Sequence, residues 1–144
     1  MSNIKFKKLI PEAVVPTRAN PTDAGADLTA TSVNITDSYI EYGTGIAIEL
    51  PANHCGLIFP RSSISKLDLS LCNAIGLIDE PFRGELKLRF NTTKPYGNNV
   101  YKVGERIGQL VVLPLPTVTF EEVEELSNTD RGEGGFGSSD KKGE

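Results

Sequence analysis

Gly84-Glu-Leu-Lys-Leu-Arg-Phe-Asn91 alternates apolar and charged residues, so Leu86, Leu88 and Phe90 fall on one face of an extended chain. That period of two describes a half-buried strand, and Gly45-Ile-Ala-Ile-Glu-Leu50 repeats it. Working outward, further strands are predicted at Lys5 to Leu9, Asp27 to Ala30, Tyr39 to Tyr42, Gly56 to Phe59, Leu69 to Asn73, Ile107 to Pro114 and Thr117 to Val123. Gly, Pro, Asn and Asp punctuate the gaps. No long stretch has helical period; only Ser62 to Leu67 reads as a helical turn. The chain is therefore predicted to be all-β. A jelly-roll-like distorted barrel of short antiparallel strands fits, because a double sheet limits exposed edges. No internal repeat is present. Near Leu126 the composition turns Gly-rich and polar, dividing a core over residues 1–126 from a flexible tail over 127–144.

The 144 residues and 15.6 kDa suffice for one domain with a real core. A net charge of -4 and a pI near 5.1 argue against bulk attraction to nucleic acid or an anionic membrane. Neither a signal peptide nor a run of ~20 apolar residues is visible, so a soluble, cytoplasmic or otherwise intracellular protein is expected. Cys55, Cys72 and the lone His54 have neither disulfide-scaffold nor metal-site spacing.

Chemistry can sit at several places. Asp79 follows the apolar run Ala74-Ile-Gly-Leu-Ile78 and precedes the turn Glu80-Pro-Phe-Arg-Gly84, so it stands at a strand-to-hairpin junction. A carboxylate there can serve as a general base toward water, or simply start a turn. Gly76 is read as a close approach of ligand to backbone, or a bulge. Asp27, among small neighbours, can support a hydrated cation through water, or cap a strand. Pro60-Arg-Ser-Ser63 at a strand end offers a guanidinium fork, hydroxyls and amides to a phosphate. Gln109 shares a strand face with Ile107, Val111 and Leu113, so its amide is either a ligand contact or bonded internally. The tail Arg131-Gly-Glu-Gly-Gly-Phe-Gly-Ser-Ser139 strings one arginine and one aromatic on glycines, which suits a lid over an anion with Phe136 stacking on a base. No Walker pattern is present, so this tail is not a P-loop. Glu121 to Glu125 reads as a solvated face.

Asp23-Ala-Gly-Ala-Asp-Leu28, Pro60-Arg-Ser-Ser63, Asn73-Ala-Ile-Gly-Leu-Ile-Asp-Glu-Pro-Phe-Arg-Gly84, Gly104-Glu-Arg-Ile-Gly-Gln-Leu-Val111 and Arg131 to Ser139 form an ordered set. In that order the chain resembles the trimeric deoxyuridine triphosphatase (dUTPase) family over nearly its whole length. The resemblance implies a homotrimer with shared active sites that hydrolyses dUTP to dUMP and pyrophosphate, so lowering dUTP and supplying dUMP for dTMP synthesis. By it, Asp79 is the general base and Asp27 supports Mg2+ through water. Arg61, Ser62, Ser63 and Gln109 hold the phosphates. Asn73 and the backbone of Gly76, Leu77 and Ile78 read the uracil edge, Phe82 lies beneath the deoxyribose, and Lys87 reaches the same site. Arg131 clamps the γ-phosphate, Phe136 covers the uracil, and Gly137, Ser138 and Ser139 finish the phosphate cage.

Three positions depart from the family's usual pattern: Ser63 and Asp140 stand where glycine is common, and Phe82 where tyrosine is common. Two other readings remain open on sequence alone. One is the related deoxycytidine triphosphate deaminase family; the other is a trimeric nucleotide-binding module that signals through its lid.

Overall fold

The computed structural model describes residues 3–94 and 98–138. Among them run nine strands: β1 (Lys5–Lys8), β2 (Ala26–Thr29), β3 (Ser32–Ile35), β4 (Ile40–Glu49), β5 (His54–Phe59), β6 (Leu69–Leu71), β7 (Gly76–Ile78), β8 (Glu85–Thr92) and β9 (Arg106–Pro114). All ladders are antiparallel. One sheet has the order β1-β4-β8-β6, with β3 also paired to β4; the other is β2-β9-β5-β7. The predicted double-sheet, all-β architecture is what the chain adopts, and the helical turn is a short 3-10 segment at Ser62–Lys66.

The core lies between the sheets, with the alternating face of β8 at its centre. Leu86, Leu88 and Phe90 of β8 are all but completely buried, joined by Tyr42, Ile46 and Ile48 of β4, Leu28 of β2 and Ile107 of β9. Each fully buried aliphatic or aromatic side chain of this kind contributes roughly 1.5–3 kcal/mol. Tyr42, Phe90 and Tyr101 meet edge to face at 5.6–6.1 Å between ring centroids. The Tyr42 hydroxyl donates to the Tyr101 carbonyl at 2.7 Å, and burial pushes its phenol up to about 12.

Three expectations need correction. Tyr39 to Tyr42 and Gly45 to Leu50 are one strand, because the glycines permit a bulge in place of a turn. The β4–β8 register shifts between Gly43 and Ala47, and Gly45 has φ +66° with no room for a side chain; a Cβ there would sit 2.8 Å from Ile10. Thr117 to Val123 is not a strand. Its alternation is real, but within this chain it meets neither a free ladder edge nor an apolar face; Phe120 is fully exposed and Val118 two-thirds so. Ser32–Ile35, not predicted as a strand, is β3, and only the last three residues of the apolar run before Asp79 form a strand, β7. Val33 and Ile35 alternate but lie exposed, and three residues of β7 are too few to show a period.

Candidate active site

The hairpin between β7 and β8 builds one side of the site. β7 pairs with β5 in the register Gly76↔Ile58 and Gly56↔Ile78, two glycines that let the strands lie close. A Cβ on Gly76 would stand 3.3 Å from the Ile58 Cβ and 3.6 Å from the Asn73 Nδ2. The approach is made by Cys72 to Ile75, where Ala74 takes φ +59° and the Ile75 amide donates to the Asn73 carbonyl at 2.6 Å. Past β7 the chain turns at once: the Phe82 amide donates to the Asp79 carbonyl at 3.0 Å, and the Glu80 carboxylate accepts from the Asn53 amide at 2.8 Å. The Phe82 ring lies against Gly84, whose Cβ would fall 2.7 Å from its Cζ.

These elements line a cavity of about 440 Å³ shared by Asn73, Gly76, Leu77, Ile78, Phe82 and Lys87, with Ile58, Leu71, Leu86 and Leu88 as its apolar lining. Its volume suits a small-molecule ligand. Asp79 is exposed at the end of β7, beside the cavity, and its carboxylate enters no hydrogen bond among the described residues. One wall is charged. Glu41 accepts from Lys87 Nζ at 3.1 Å and Arg89 Nε at 2.8 Å. The Arg89 hydrogen bond, and after it that of Lys87, holds the Glu41 carboxyl below its ordinary value; Glu41 in turn raises Lys87. Glu41 drew no attention in the sequence, since only the β4–β8 register places it opposite Arg89.

The second group gathers where β2, β9 and β5 run side by side. Gln109 sits opposite Asp27 on one flank and Phe59 on the other, and its amide donates to the Pro60 carbonyl at 3.2 Å. Gly25 makes room for that side chain; a Cβ there would fall 2.5 Å from the Gln109 Oε1. Asp27 is held by two guanidiniums: Arg61 Nε donates to its Oδ1 at 3.1 Å and Arg106 Nη1 to its Oδ2 at 2.9 Å. Arg61 also points Nη1 at the Ser63 hydroxyl, 3.4 Å away. Ser62 and Ser63 open the 3-10 turn, in which the Ile64 amide donates to the Arg61 carbonyl at 3.0 Å. Arg61, Ser63, Lys66, Tyr101 and Arg106 line a second cavity, of about 380 Å³, with Gly104 and Glu105. Burial raises the Tyr101 phenol, against the Ser63 hydroxyl and the Arg61 charge; its hydroxyl has no hydrogen-bond partner among the described residues. Arg106 is a residue that sequence reasoning passed over. Its only signal is its place three residues before Gln109, and without the strand register nothing ties it to Asp27.

The tail forms the third group. From Leu115 to Ser138 there is no strand or helix. Arg131 Nε donates to the Gly134 carbonyl at 2.9 Å, the Ser138 amide to the Gly135 carbonyl at 3.0 Å, and Gly132 and Gly137 take positive φ. Phe136 is fully exposed. Among the described residues these bonds stay within the tail and reach neither cavity. Ser139 and Asp140 lie outside the described residues. The predicted site residues thus fall into three separate groups within one chain, and the two cavities have no lining residue in common.

A two-sheet antiparallel fold with a glycine-flanked hairpin cleft and an arginine–carboxylate cluster at the neighbouring strand ends defines a class of all-β proteins suited to a ligand with an apolar body and an anionic end. The family model for dUTPase matches residues 11–140. The chain belongs to the dUTPase family, a family of dUTP diphosphatases. It is 47% identical over 140 residues to a deoxyuridine 5'-triphosphate nucleotidohydrolase of Rhodococcus erythropolis, covering 95% of this chain and 85% of that one. It is 40% identical over 147 residues to the protein of that name from Clostridioides difficile, covering 96% and 98%. Among solved structures, the dUTPase of Staphylococcus bacteriophage 80alpha with dUpNHpp is similar with a TM-score of 0.83 at 27% identity, over 96% of this chain and 99% of that one. No helix among the described residues is long and apolar enough to cross a membrane.

Proposed function

We propose that this chain hydrolyses dUTP to dUMP and pyrophosphate, with the nucleoside held in the β7–β8 cleft and Asp79 activating the water that attacks the α-phosphorus. The observation that carries this reading is the exposed carboxylate of Asp79, free of hydrogen bonds among the described residues, which directly follows the cavity-lining Ile78 on a turn pinned by the Phe82 and Asn53 amides. A base must be left unengaged, as the Asp79 carboxylate is, and the turn that carries it is held by backbone hydrogen bonding. Asn73 and the backbone of Gly76, Leu77 and Ile78 read the uracil edge, and a hairpin fastened to β5 by the Gly76–Ile58 and Ile78–Gly56 pairs is a rigid wall suited to excluding a 5-methyl group. Phe82 packs beneath the deoxyribose, with Lys87 alongside.

At the other end Arg61, Ser62, Ser63 and Gln109 take the phosphates. Among the described residues no three His, Cys, Asp or Glu side chains converge into a metal cage. Asp27 has both oxygens engaged by arginines, which fits support of Mg2+ through water and not direct ligation. When bound, Mg2+ would supply charge neutralisation at the triphosphate, with Asp27 supporting it through water. As Asp79 takes the proton of water, the oxygen bonds to the α-phosphorus and the bond to the β-phosphate bridging oxygen breaks, releasing pyrophosphate. No covalent enzyme intermediate is needed; positioning and charge do the work.

The three groups of one chain meet across subunits in a homotrimer, with a body over residues 1–126 and a lid over 127–144. In the lid Arg131 reaches the γ-phosphate, Phe136 the uracil, and Gly137, Ser138 and Ser139 the phosphate oxygens. The separation of the two cavities and the tail within a single chain supports this assembly. Product analysis with dUTP and dCTP plus Mg2+ tests the reading: dUMP and pyrophosphate are expected. Ammonia from dCTP would point to deamination, and binding without products to a signalling module.

A further inference from the structure

Arg106 lies outside the set assigned above, yet its geometry ties it to that set. In the β2–β9 ladder a register shift between Leu28 and Thr29 sets Arg106 opposite Thr29, two residues beyond Asp27. From there its guanidinium reaches back along the strand to Asp27 Oδ2 while Arg61 holds Oδ1. Asp27 keeps only 18% of its side-chain surface exposed, so its charge would be costly there without the two partners. Arg61 has a second task. Its Nη2 donates to nothing among the described residues and its Nη1 makes only a long contact to Ser63, so both terminal nitrogens are available to an incoming anion.

We propose that Arg106 is a positioning residue of the phosphate site: by taking one oxygen of Asp27 it keeps that carboxylate neutralised and oriented when Arg61 turns its terminal nitrogens to the triphosphate. Without Arg106, Arg61 would be the sole partner of a half-buried carboxylate, and each phosphate contact would compete with Asp27 for the same guanidinium. With it, two guanidiniums face one carboxylate, and the local balance favours an anion. Lys66 adds to that balance from the same cavity, and Glu105 opposes it, although its Oε2 is occupied by the Lys102 amide at 2.6 Å. The inference rests on the reading of Arg61 and Asp27 as the triphosphate end.

The test compares dUMP with the non-hydrolysable analogue dUpNHpp, titrated calorimetrically with and without Mg2+ on the full chain. Arg106→Gln is expected to weaken dUpNHpp about tenfold while dUMP changes less than twofold. Arg106→Lys, which can still offer one donor, should recover most of the loss. In an Asp27→Asn background the same Arg106→Gln change should cost less than twofold, because the carboxylate it serves is no longer charged. Unchanged dUpNHpp affinity in Arg106→Gln, an equal loss for dUMP, or a full tenfold loss in the Asp27→Asn background would each overturn the proposal; the last would make Arg106 a direct phosphate ligand. Should Arg106→Gln fail to fold by circular dichroism, Arg106→Lys alone decides: weakening of dUpNHpp by about two- to threefold with dUMP unchanged supports the role, and no selective weakening overturns it. A wild-type chain that binds dUpNHpp no tighter than dUMP sinks the phosphate-site reading itself, and the inference with it.

Discussion

The two clefts of this molecule are built from opposite materials. Apart from the wall where Glu41 holds Lys87 and Arg89, the hairpin cleft is made of backbone and apolar side chains: β7 is fastened to β5, Asn73 and Ala74 are locked in a tight turn, and Phe82 is packed on Gly84. The arginine cleft is made of long charged side chains at strand ends that hold one another, Arg61 and Arg106 across Asp27. Rejecting one methyl group requires walls that do not yield, which hydrogen-bonded strands provide. Gripping a triphosphate requires charges that exchange partners as the ligand arrives, which guanidiniums on flexible stems provide. On the function proposed above, shape selection would fall to the hairpin cleft and charge recognition to the arginine cleft, with Asp79 directly after β7 on the hairpin side.

The largest expected effect is that of Asp79→Asn, which should lower kcat by on the order of 10²–10⁴-fold while dUpNHpp affinity stays within a few-fold. A near-normal kcat in rapid-mixing assays would break the assignment of chemistry to the hairpin side. Next is deletion of residues 130–144, expected to reduce kcat/KM about 100-fold and to move Tm by less than about 2 °C, since no described residue of the tail belongs to the buried core. Unfolding of the truncated chain, or unchanged kinetics, would show that the tail does not act as a lid.

Alkali should strike the arginine side, because Tyr101 lines that cleft and Tyr42 is hydrogen-bonded to its carbonyl. Tyr42 is raised from 10.0 to about 12, so the unfolded chain loses this proton first. Stability conferred by keeping Tyr42 neutral is therefore fully present below pH 10 and is lost as pH rises through about 12, by up to about 2–3 kcal/mol. Chemical denaturation at a series of pH values should show that decline, and Tyr42→Phe should flatten it while lowering stability at pH 7. The smallest effect is expected from Gly76→Ala, whose Cβ presses on Ile58: dUMP affinity should fall about tenfold, whereas inorganic pyrophosphate binding stays unchanged. Equal losses for both ligands would erase the division between the clefts.

Much of this was readable from one chain, and the failures have physical causes. The alternation of Leu86, Leu88 and Phe90 announced β8 because one buried face imposes a period of two. The same logic misled at Thr117 to Val123, where the pattern is present but no partner within the chain meets it; periodicity reports what a segment can bury, not what it finds. Gly45 looked like a break and is a bulge inside β4, a distinction set by Ile10 and Ala13 packing against it from far along the sequence. Candidate residues in short motifs were visible because turns and strand ends use local chemistry. Arg106 and Glu41 were not, because each depends on which residue of a neighbouring strand stands opposite.

Two cavities without a common lining residue also make the protein divisible in a genetic sense. In the trimer proposed above, a subunit disabled at Asp79 still carries an intact arginine cleft, and one disabled at Arg61 still carries an intact hairpin. Two alleles, each silent alone, would therefore complement when co-expressed, and some mixed assemblies would recover one working site. Dominance would follow the same rule: a copy defective at one cleft would silence only the site to which it lends that cleft and leave the trimer's other sites working, so inheritance patterns would read out the architecture without any measurement of structure.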